Sequence, residues 1–532
     1  MMNASATWQP VCAIDDIVPD TGVAALVGGR QIAVFRMRAD DRIYAIDNRD
    51  PFSGANVLSR GLVGDLQGER VVASPIYKQH FSLATGRCLE DATNNVQAYA
   101  TRVADGMVWV DPAPLRTYVP APKQRERMRL VVVGNGMAGM RVVEELIEAA
   151  PDLYEIEVFG AETHGNYNRI LLSPVLAGEK KAADIMLHAP QWYAERGIAF
   201  HAGDPVVAID RPRRTVRSQS GQTTRYDRLL LATGSNPIVL PLPGRDLEGV
   251  TTFRDLDDVD TMLAIASTHR RAVVIGGGLL GLEAAHGLAK RGMQVEIVHL
   301  VDRLMERQLD APAAALLKAK LESRGMKIHL NAKTDAILGG PESAGRVSGV
   351  QLADGRVLDA DLVVMAVGIR PNIELAQSIG LRTDRGVLVN DTMQTFDPRI
   401  YAVGECVQHR GRTYGLVDPL WGQAYVCAAQ LAERGHMRYR GSQISTQLKV
   451  AGIEVFSAGE FDGGEGTEDL VLHDAQRGVY KRLILRDHRV VGAVLYGDTR
   501  DGAWYFELIS DGTDVSRFRN RLLFGREFAL RA

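Results

Sequence analysis

Cysteine is scarce in this chain: four among 532 residues, at positions 12, 88, 406 and 427. No two are spaced as C-x-x-C, so neither a zinc site nor a cysteine-held cluster has its ligands within the chain, and no metal site is expected. Reduced thiols in a cytoplasmic protein are the default. Long apolar runs are missing too, and none approaches the roughly 20 residues that a spanning helix needs. The opening MMNASATWQPVCAIDD has neither the basic start nor the apolar core of a signal peptide. Charge of one sign is also lacking. A net charge of −3 argues against nucleic-acid and membrane surfaces as partners.

What is present is an ordinary globular composition, 46% hydrophobic and 24% charged, over a length that suggests three or four domains. Glycine is plentiful, at 53 residues, and its placement is informative. Leu130 to Val133 reads as a buried strand that breaks at Gly134-Asn135-Gly136-Met137-Ala138-Gly139, and an amphipathic helix follows at once. In such a G-x-G-x-x-G turn, Gly134 permits the bend, Gly136 lets a pyrophosphate approach, and Gly139 lets helix and strand pack closely. The free N–H groups and dipole of the helix start, Met137 and Ala138 among them, then favour phosphate. Glu162, just past the next strand (Glu155 to Phe159), is placed to accept a ribose hydroxyl.

The pattern recurs. Ala272 to Ile275 is a strand, and Gly276-Gly277-Gly278-Leu279-Leu280-Gly281 opens a second helix about 140 residues later. Two such units imply two dinucleotides, most economically FAD at Gly134, Gly136 and Gly139, and NAD(P)H as substrate at Gly276, Gly278, Leu280 and Gly281. Glu283 follows in the first turn of that helix, where the dipole alone would favour an acid. The strand Val295 to Val298 ends at His299, where an acid would mark NADH. Asp302 can reach a ribose and Arg303 a 2′-phosphate, so the choice between NADH and NADPH stays open.

The ends of the chain differ from this middle. Residues 7 to about 112 carry short strand-like runs (Gly22 to Leu26, Gln31 to Arg36, Arg42 to Asp47, Arg70 to Ser74, Met107 to Val110) between glycine and aspartate turns. Asp111 to Arg127 has four prolines and no apolar period, which predicts a linker ending in the basic cluster Lys123 to Arg127. From Ser445 to Ser510 short strand-like runs return, including Gln447 to Val450, Tyr480 to Leu485 and Val490 to Tyr496.

Several segments carry a family resemblance. Asp47-Asn48-Arg49-Asp50-Pro51-Phe52-Ser53-Gly54-Ala55 and Ala73-Ser74-Pro75-Ile76-Tyr77-Lys78-Gln79-His80-Phe81 resemble the Rieske-like small subunit of assimilatory NAD(P)H nitrite reductases. Where a Rieske site has C-x-H and C-x-x-H, this sequence has Asp50, Phe52, Ser74 and Tyr77, a loss typical of that subunit. The module is therefore expected to be structural or docking, without an iron–sulfur cluster. Tyr167-Asn168-Arg169-Ile170-Leu171-Leu172-Ser173 resembles the Y-x-[KR]-x-x-L-S segment of FAD-dependent pyridine-nucleotide oxidoreductases, which implies that Arg169 and Ser173 approach the flavin and its pyrophosphate. The redox cysteines of the disulfide reductases and NADH peroxidases are missing here. Ala232-Thr233-Gly234 and Ala366-Val367-Gly368 match the family's return crossings between nucleotide domains. Gly404-Glu405 stands at its second FAD motif, with Glu405 replacing the usual aspartate, and Leu304 to Asp310 matches the nitrite reductases closely. By the same resemblance Glu283 approaches the flavin–nicotinamide contact. Cys406 reads as a buried small residue, and Trp421 as core packing, with packing near the flavin ring as the alternative.

Residues 128 to about 520 thus resemble the FAD/NAD(P)H-binding half of the assimilatory nitrite reductase large subunit. The expected fold is multidomain: an all-β Rieske-like domain, two α/β Rossmann-like domains and a small C-terminal α/β domain. The expected boundaries are 1–112, a linker at 113–127, FAD-binding parts at 128–248 and 375–440, NAD(P)H-binding at 249–374, and a cap at 441–532. The resemblance implies an NAD(P)H-oxidising flavoprotein, with Arg169 and Glu283 beside the flavin. Electrons would pass to a separate redox protein, a nitrite or nitrate reductase catalytic subunit or a small iron–sulfur carrier. No sirohaem is expected, because the sequence given ends before the cysteine-rich and sirohaem segments of that family. A rubredoxin or ferredoxin reductase and a flavin-binding redox sensor are the rival readings, and a homodimer stays open.

Overall fold

The structure, a computed structural model, describes residues 8–66, 68–91, 93–115, 127–340, 345–435, 437–450 and 452–531. Most of the expected linker, with Lys123 and its basic neighbours up to 126, lies outside the described residues. The chain divides into two units, Met1–Glu126 and Arg127–Ala532.

In the first unit, β-branched and aromatic runs build a six-stranded antiparallel sheet. Its order is Gln9–Ala13, Met107–Pro114, Ala98–Ala104, Ile43–Asp47, Arg30–Arg36 and Thr21–Val27. Strand Arg30–Arg36 is buried on both faces, so its alternate residues serve two cores. Ala33 and Phe35 join Phe81, Leu58 and Val72, whereas Ile32 and Val34 join Ile17 and Val108. A smaller sheet of Leu62–Leu66, Glu69–Ala73 and His80–Ser82 contributes Val72 and Phe81 to the first of these. The last strand runs to Pro114, so Asp111 to Pro114 is paired backbone rather than the expected linker.

The second unit repeats one plan. A parallel sheet runs Ala199–His201, Tyr154–Phe159, Met128–Val133, Arg228–Leu231, Ile400–Ala402. Its counterpart runs Lys327–His329, Gln294–Val298, Arg271–Ile275, Leu362–Met365, Val250–Thr252, matching over the first four strands, while its fifth strand comes first in the chain where that of the other sheet comes last. Strands Met128–Val133 and Arg271–Ile275 each lead through a glycine turn into a helix, Met137–Ala149 or Leu279–Lys290. That places both turns at the carboxyl ends of their sheets, where ligands of such folds bind. The two return crossings pair with each other: Ser235–Pro237 runs antiparallel to Ile369–Pro371.

The C-terminal domain is a five-stranded antiparallel sheet covered by helix Gly502–Asp511. Period-two alternation splits its side chains between two cores. Phe456, Leu483 and Leu495 face Trp504 and Tyr505, while Val455, Tyr480, Val494 and Tyr496 join the core of the second nucleotide domain. Asp310 ties that seam. It is 4% exposed, caps helix Ala311–Glu322 through Ala313 N–H at 3.2 Å, and accepts from Tyr480 Oη at 2.6 Å and from Arg482 at 3.2 Å. Asp310→Ala would leave these donors unmatched, and a loss on the order of 3 kcal/mol is expected at the seam. Hydrogen exchange in strands Val479–Arg486 and Arg489–Tyr496 should accelerate accordingly, and less in Asp310→Asn, which keeps an acceptor for the cap.

Candidate functional site

The two glycine turns have the same geometry. Gly134 has φ +108° and Gly276 has φ +121°, values that L side chains rarely adopt. A Cβ on either would lie 2.2 Å from the carbonyl oxygen of Ala232 or 2.3 Å from that of Ala366, so the return strand is pressed against each turn. A Cβ on Gly139 would lie 2.8 Å from Ala232 Cβ and 3.1 Å from Gly134 O, and one on Gly281 2.0 Å from Gly276 O. Gly136 and Gly278 differ, since a Cβ on either would meet nothing within 4 Å. Each is the N-cap of its helix, and no side chain caps either one. The N–H groups at Met137, Ala138 and Gly139, and at Leu279, Leu280 and Gly281, thus form the first turn of each helix with no side chain capping them, beside the open space at Gly136 and Gly278. A phosphate fits such a cradle.

Around the first turn, Glu162 has one partner on each carboxylate oxygen. Its carboxylate accepts from Tyr167 Oη at 2.5 Å and pairs with Arg169. Arg169 also donates to the Arg254 carbonyl at 2.8 Å and lies over the Tyr167 ring. Arg254 itself pairs with Glu405 at 2.5 Å, and Ser235 Oγ donates to the same carboxylate at 2.6 Å. Gly404, at φ +93°, donates its N–H to the buried Gln423 Oε1 at 2.9 Å. Thr233 Oγ1 donates to Asn372 O at 2.7 Å, and Asn372 N–H to Gly234 O at 2.9 Å, so both crossings, including the Gly368 turn, are fastened together.

Ser173 and Glu283 bridge the two nucleotide domains, with Ser173 Oγ donating to Glu283 Oε2 at 2.5 Å. Burial pushes the Glu283 carboxyl above its ordinary value, and the serine donor opposes that rise. His299 is buried, and Gly277 N–H donates to its Nδ1 at 3.0 Å. Arg303 is not brought to His299. It donates to Leu309 O and pairs with Asp462 of the C-terminal domain, each at 3.3 Å. Trp421 corrects its sequence reading: it is 37% exposed beside Arg141 rather than packed in the core, because its helix turns Leu420 and Ala424 inward instead. Cys406 and Cys427 are fully buried and belong to different cores. Sequence reasoning missed Arg254, Ser235 and Gln423, whose partners lie 151, 170 and 19 residues away.

In the first unit, Asp50 and Ser74 are wholly buried and bonded to each other, Ser74 Oγ donating at 2.8 Å. Asp50 also accepts from Ser53 Oγ at 3.0 Å and Phe52 N–H at 2.9 Å. Phe52 packs near Phe81, and Tyr77 is 60% exposed. This set lacks the thiolate and imidazole donors of a Rieske cluster and does not fit one. Among the described residues, no group of three or more His, Cys, Asp or Glu could hold a metal ion, and no helix is long and apolar enough to cross a membrane.

Two coupled dinucleotide folds with a shared junction define a two-nucleotide oxidoreductase. The chain belongs to the pyridine nucleotide-disulphide oxidoreductase family, whose model matches residues 128–430. Models of a Rieske-like [2Fe-2S] domain and of a rubredoxin NAD+ reductase C-terminal domain match residues 7–111 and 445–513. The family implies a flavin and NAD(P)H, in keeping with the two cradles. Over 390 residues the chain is 50% identical to nitrite reductase [NAD(P)H] of Bacillus subtilis, covering 73% of this chain and 48% of the relative. It is 43% identical to the assimilatory nitrate reductase electron transfer subunit of the same organism, over 75% of this chain and 51% of that one. The chain thus spans about half the length of these relatives. Among solved structures, the covalent putidaredoxin reductase–putidaredoxin complex matches with a TM-score of 0.68 and 28% identity, over 75% of this chain and 96% of the other.

Because Gly136 and Gly278 face open space, a side chain there intrudes on a ligand without disturbing the fold. Gly136→Val should abolish flavin retention, whereas Gly278→Val should spare the flavin and remove NAD(P)H turnover, as read by absorbance and dye reduction. Flavin and turnover kept in both variants would refute the two-site assignment. Glu283 makes a separate prediction. Its raised folded value favours the neutral form, so its contribution to stability is present below the unfolded carboxyl value, about 4.3, and is lost as pH rises through the folded value. Glu283→Gln, neutral throughout, should gain in melting temperature relative to the native chain as pH rises. Parallel profiles would reject this.

Proposed function

We propose that this chain is an NAD(P)H-dependent FAD oxidoreductase that serves as the electron-donor component of a nitrite- or nitrate-reducing system. The observation that carries the reading is the pair of open cradles joined through Ser173 and Glu283, with no cysteine pair to relay electrons. Cys406 and Cys427 sit in separate cores, and burial pushes both thiols up, so neither is a ready nucleophile. Electrons therefore leave the flavin directly for an external acceptor.

When bound, FAD would supply the conversion of a two-electron donor into single-electron steps. The chain's own residues bind and orient. Met137, Ala138 and Gly139 would hold the flavin pyrophosphate, and Leu279, Leu280 and Gly281 that of the nicotinamide nucleotide. Arg169 and Arg254 would fix Glu162 and Glu405 beside the flavin's ribose and ribityl hydroxyls. Ser173 and Glu283 would set the spacing between the two rings. The first unit is assigned a structural or docking role without a cluster, since Asp50, Phe52, Ser74 and Tyr77 supply no donor set for one.

The relatives' names favour nitrite or nitrate reduction as the destination of the electrons. Service to a small iron–sulfur carrier is a second reading, favoured by the likeness to a reductase solved in complex with putidaredoxin. An anaerobic titration of the purified protein with NADH and then NADPH should bleach the flavin absorbance. Bound flavin that neither nucleotide reduces would sink the donor reading and leave a sensor. Reoxidation of the reduced protein by a nitrite reductase catalytic protein, set against a ferredoxin, separates the two acceptor classes.

A further inference from the structure

The strand end beyond the second glycine turn departs from the usual arrangement. In dinucleotide folds an acid there accepts the adenosine ribose 2′-hydroxyl, and an arginine there suits a 2′-phosphate. Strand Gln294–Val298 is followed by His299, which is neither. Its ring is held by the turn itself, through Gly277 N–H on Nδ1 at 3.0 Å. A Cβ on Gly277 would lie 2.8 Å from His299 Cγ, so the turn is built around this imidazole. With Nδ1 accepting, a neutral ring carries its proton on Nε2. That buried atom has no well-aligned hydrogen-bond partner, and Glu306 Oε2 stands 3.3 Å from it.

The carboxylate missing from the strand end is thus supplied from seven residues further on, against the histidine that took its place. The Glu306 side chain is 33% exposed, so it can meet a ligand. The cation best placed to favour a phosphate is withdrawn, since Arg303 is spent on Leu309 O and Asp462. Arg307 is 85% exposed and approaches Glu306 no closer than 3.9 Å.

We propose that Glu306, steered by His299, accepts the adenosine ribose 2′-hydroxyl and makes this chain select the nucleotide without a 2′-phosphate. The inference rests on the NAD(P)H reading of the second cradle. A hydroxyl donating to a carboxylate makes a charge-assisted bond. A 2′-phosphate would instead bring its negative charge against Glu306 and the nearby Asp302.

The test is calorimetric titration of the full-length, flavin-loaded protein with ADP-ribose and with 2′-phospho-ADP-ribose, which reads binding without turnover. ADP-ribose should bind about tenfold tighter or more, in line with the worth of a hydrogen bond to a charged group. Glu306→Gln, a conservative surface change, should weaken ADP-ribose by about tenfold and narrow the ratio, while Glu306→Asp should restore part of it. Equal affinities, a preference for the 2′-phosphate, or an unchanged ratio in Glu306→Gln would overturn the proposal while leaving the nucleotide site intact. Binding of neither probe would overturn the NAD(P)H reading itself and this inference with it.

Discussion

The carbonyl oxygens of Ala232 and Ala366 stand where any side chain on Gly134 or Gly276 would have to be. Each turn is therefore locked to the end of the strand that returns beside it, with no room for a looser fit. The consequence extends past each turn. Just beyond these carbonyls the two crossings leave their sheets and pair with one another, through Ser235–Pro237 and Ile369–Pro371, with Thr233 and Gly234 bound to Asn372. The position of one nucleotide turn is thereby transmitted through backbone to the other. A two-cofactor site needs this, because the rings must meet at a fixed spacing although their phosphates are held on separate sheets.

A second set of contacts works on the same spacing from the side. Helix Leu172–Leu176 lies against helix Leu279–Lys290, where a Cβ on Gly287 would lie 2.7 Å from Leu176 Cγ. Arg291 caps the short helix by donating to Leu176 O at 2.7 Å and Val175 O at 3.1 Å. Ser173 and Glu283 thus meet because their two helices are clamped, and not through their own attraction alone. Arg169 and Arg254 extend the same logic around the first glycine turn. The first donates to the backbone of the second, and the second holds Glu405, so the segment after strand Val250–Thr252 braces the acidic residue of the other domain.

The elements legible in the sequence were those whose cause is local. A strand, six residues of turn and a helix start are contiguous, so both glycine turns could be read from spacing alone. Their repetition gave the two-domain plan, and the family segments gave the order of the remaining parts. What escaped was set at long range. Arg254 finds Glu405 across 151 residues, and Tyr480 finds Asp310 across 170. No period or motif carries such pairs. Strand Leu62–Leu66 was missed because its face is largely exposed and shows little apolar alternation, its place being set by pairing with Glu69–Ala73. Trp421 was misjudged because hydrophobicity suggests burial on average, while the helix phase decides which residues turn inward.

In the first unit, the positions where a Rieske site has its ligands are held by hydrogen bonds instead. Its two loops need a tie where cluster ligands would otherwise join them, because backbone at loop tips has few partners of its own. Asp50 supplies that tie: one buried carboxylate accepts from its own loop at Phe52 and Ser53 and from the opposite loop at Ser74. A buried carboxylate is costly alone and tolerable when its oxygens are matched, as they are here. A hydrogen-bond staple of this kind preserves the shape of the loops and the exposed Ile76 and Tyr77 at their surface, but it has no second oxidation state. Under the proposed function the first unit can present a surface and cannot store an electron. Electron flow is then confined to the second unit, which is also where the backbone locks, the helix clamp and the arginine braces are found.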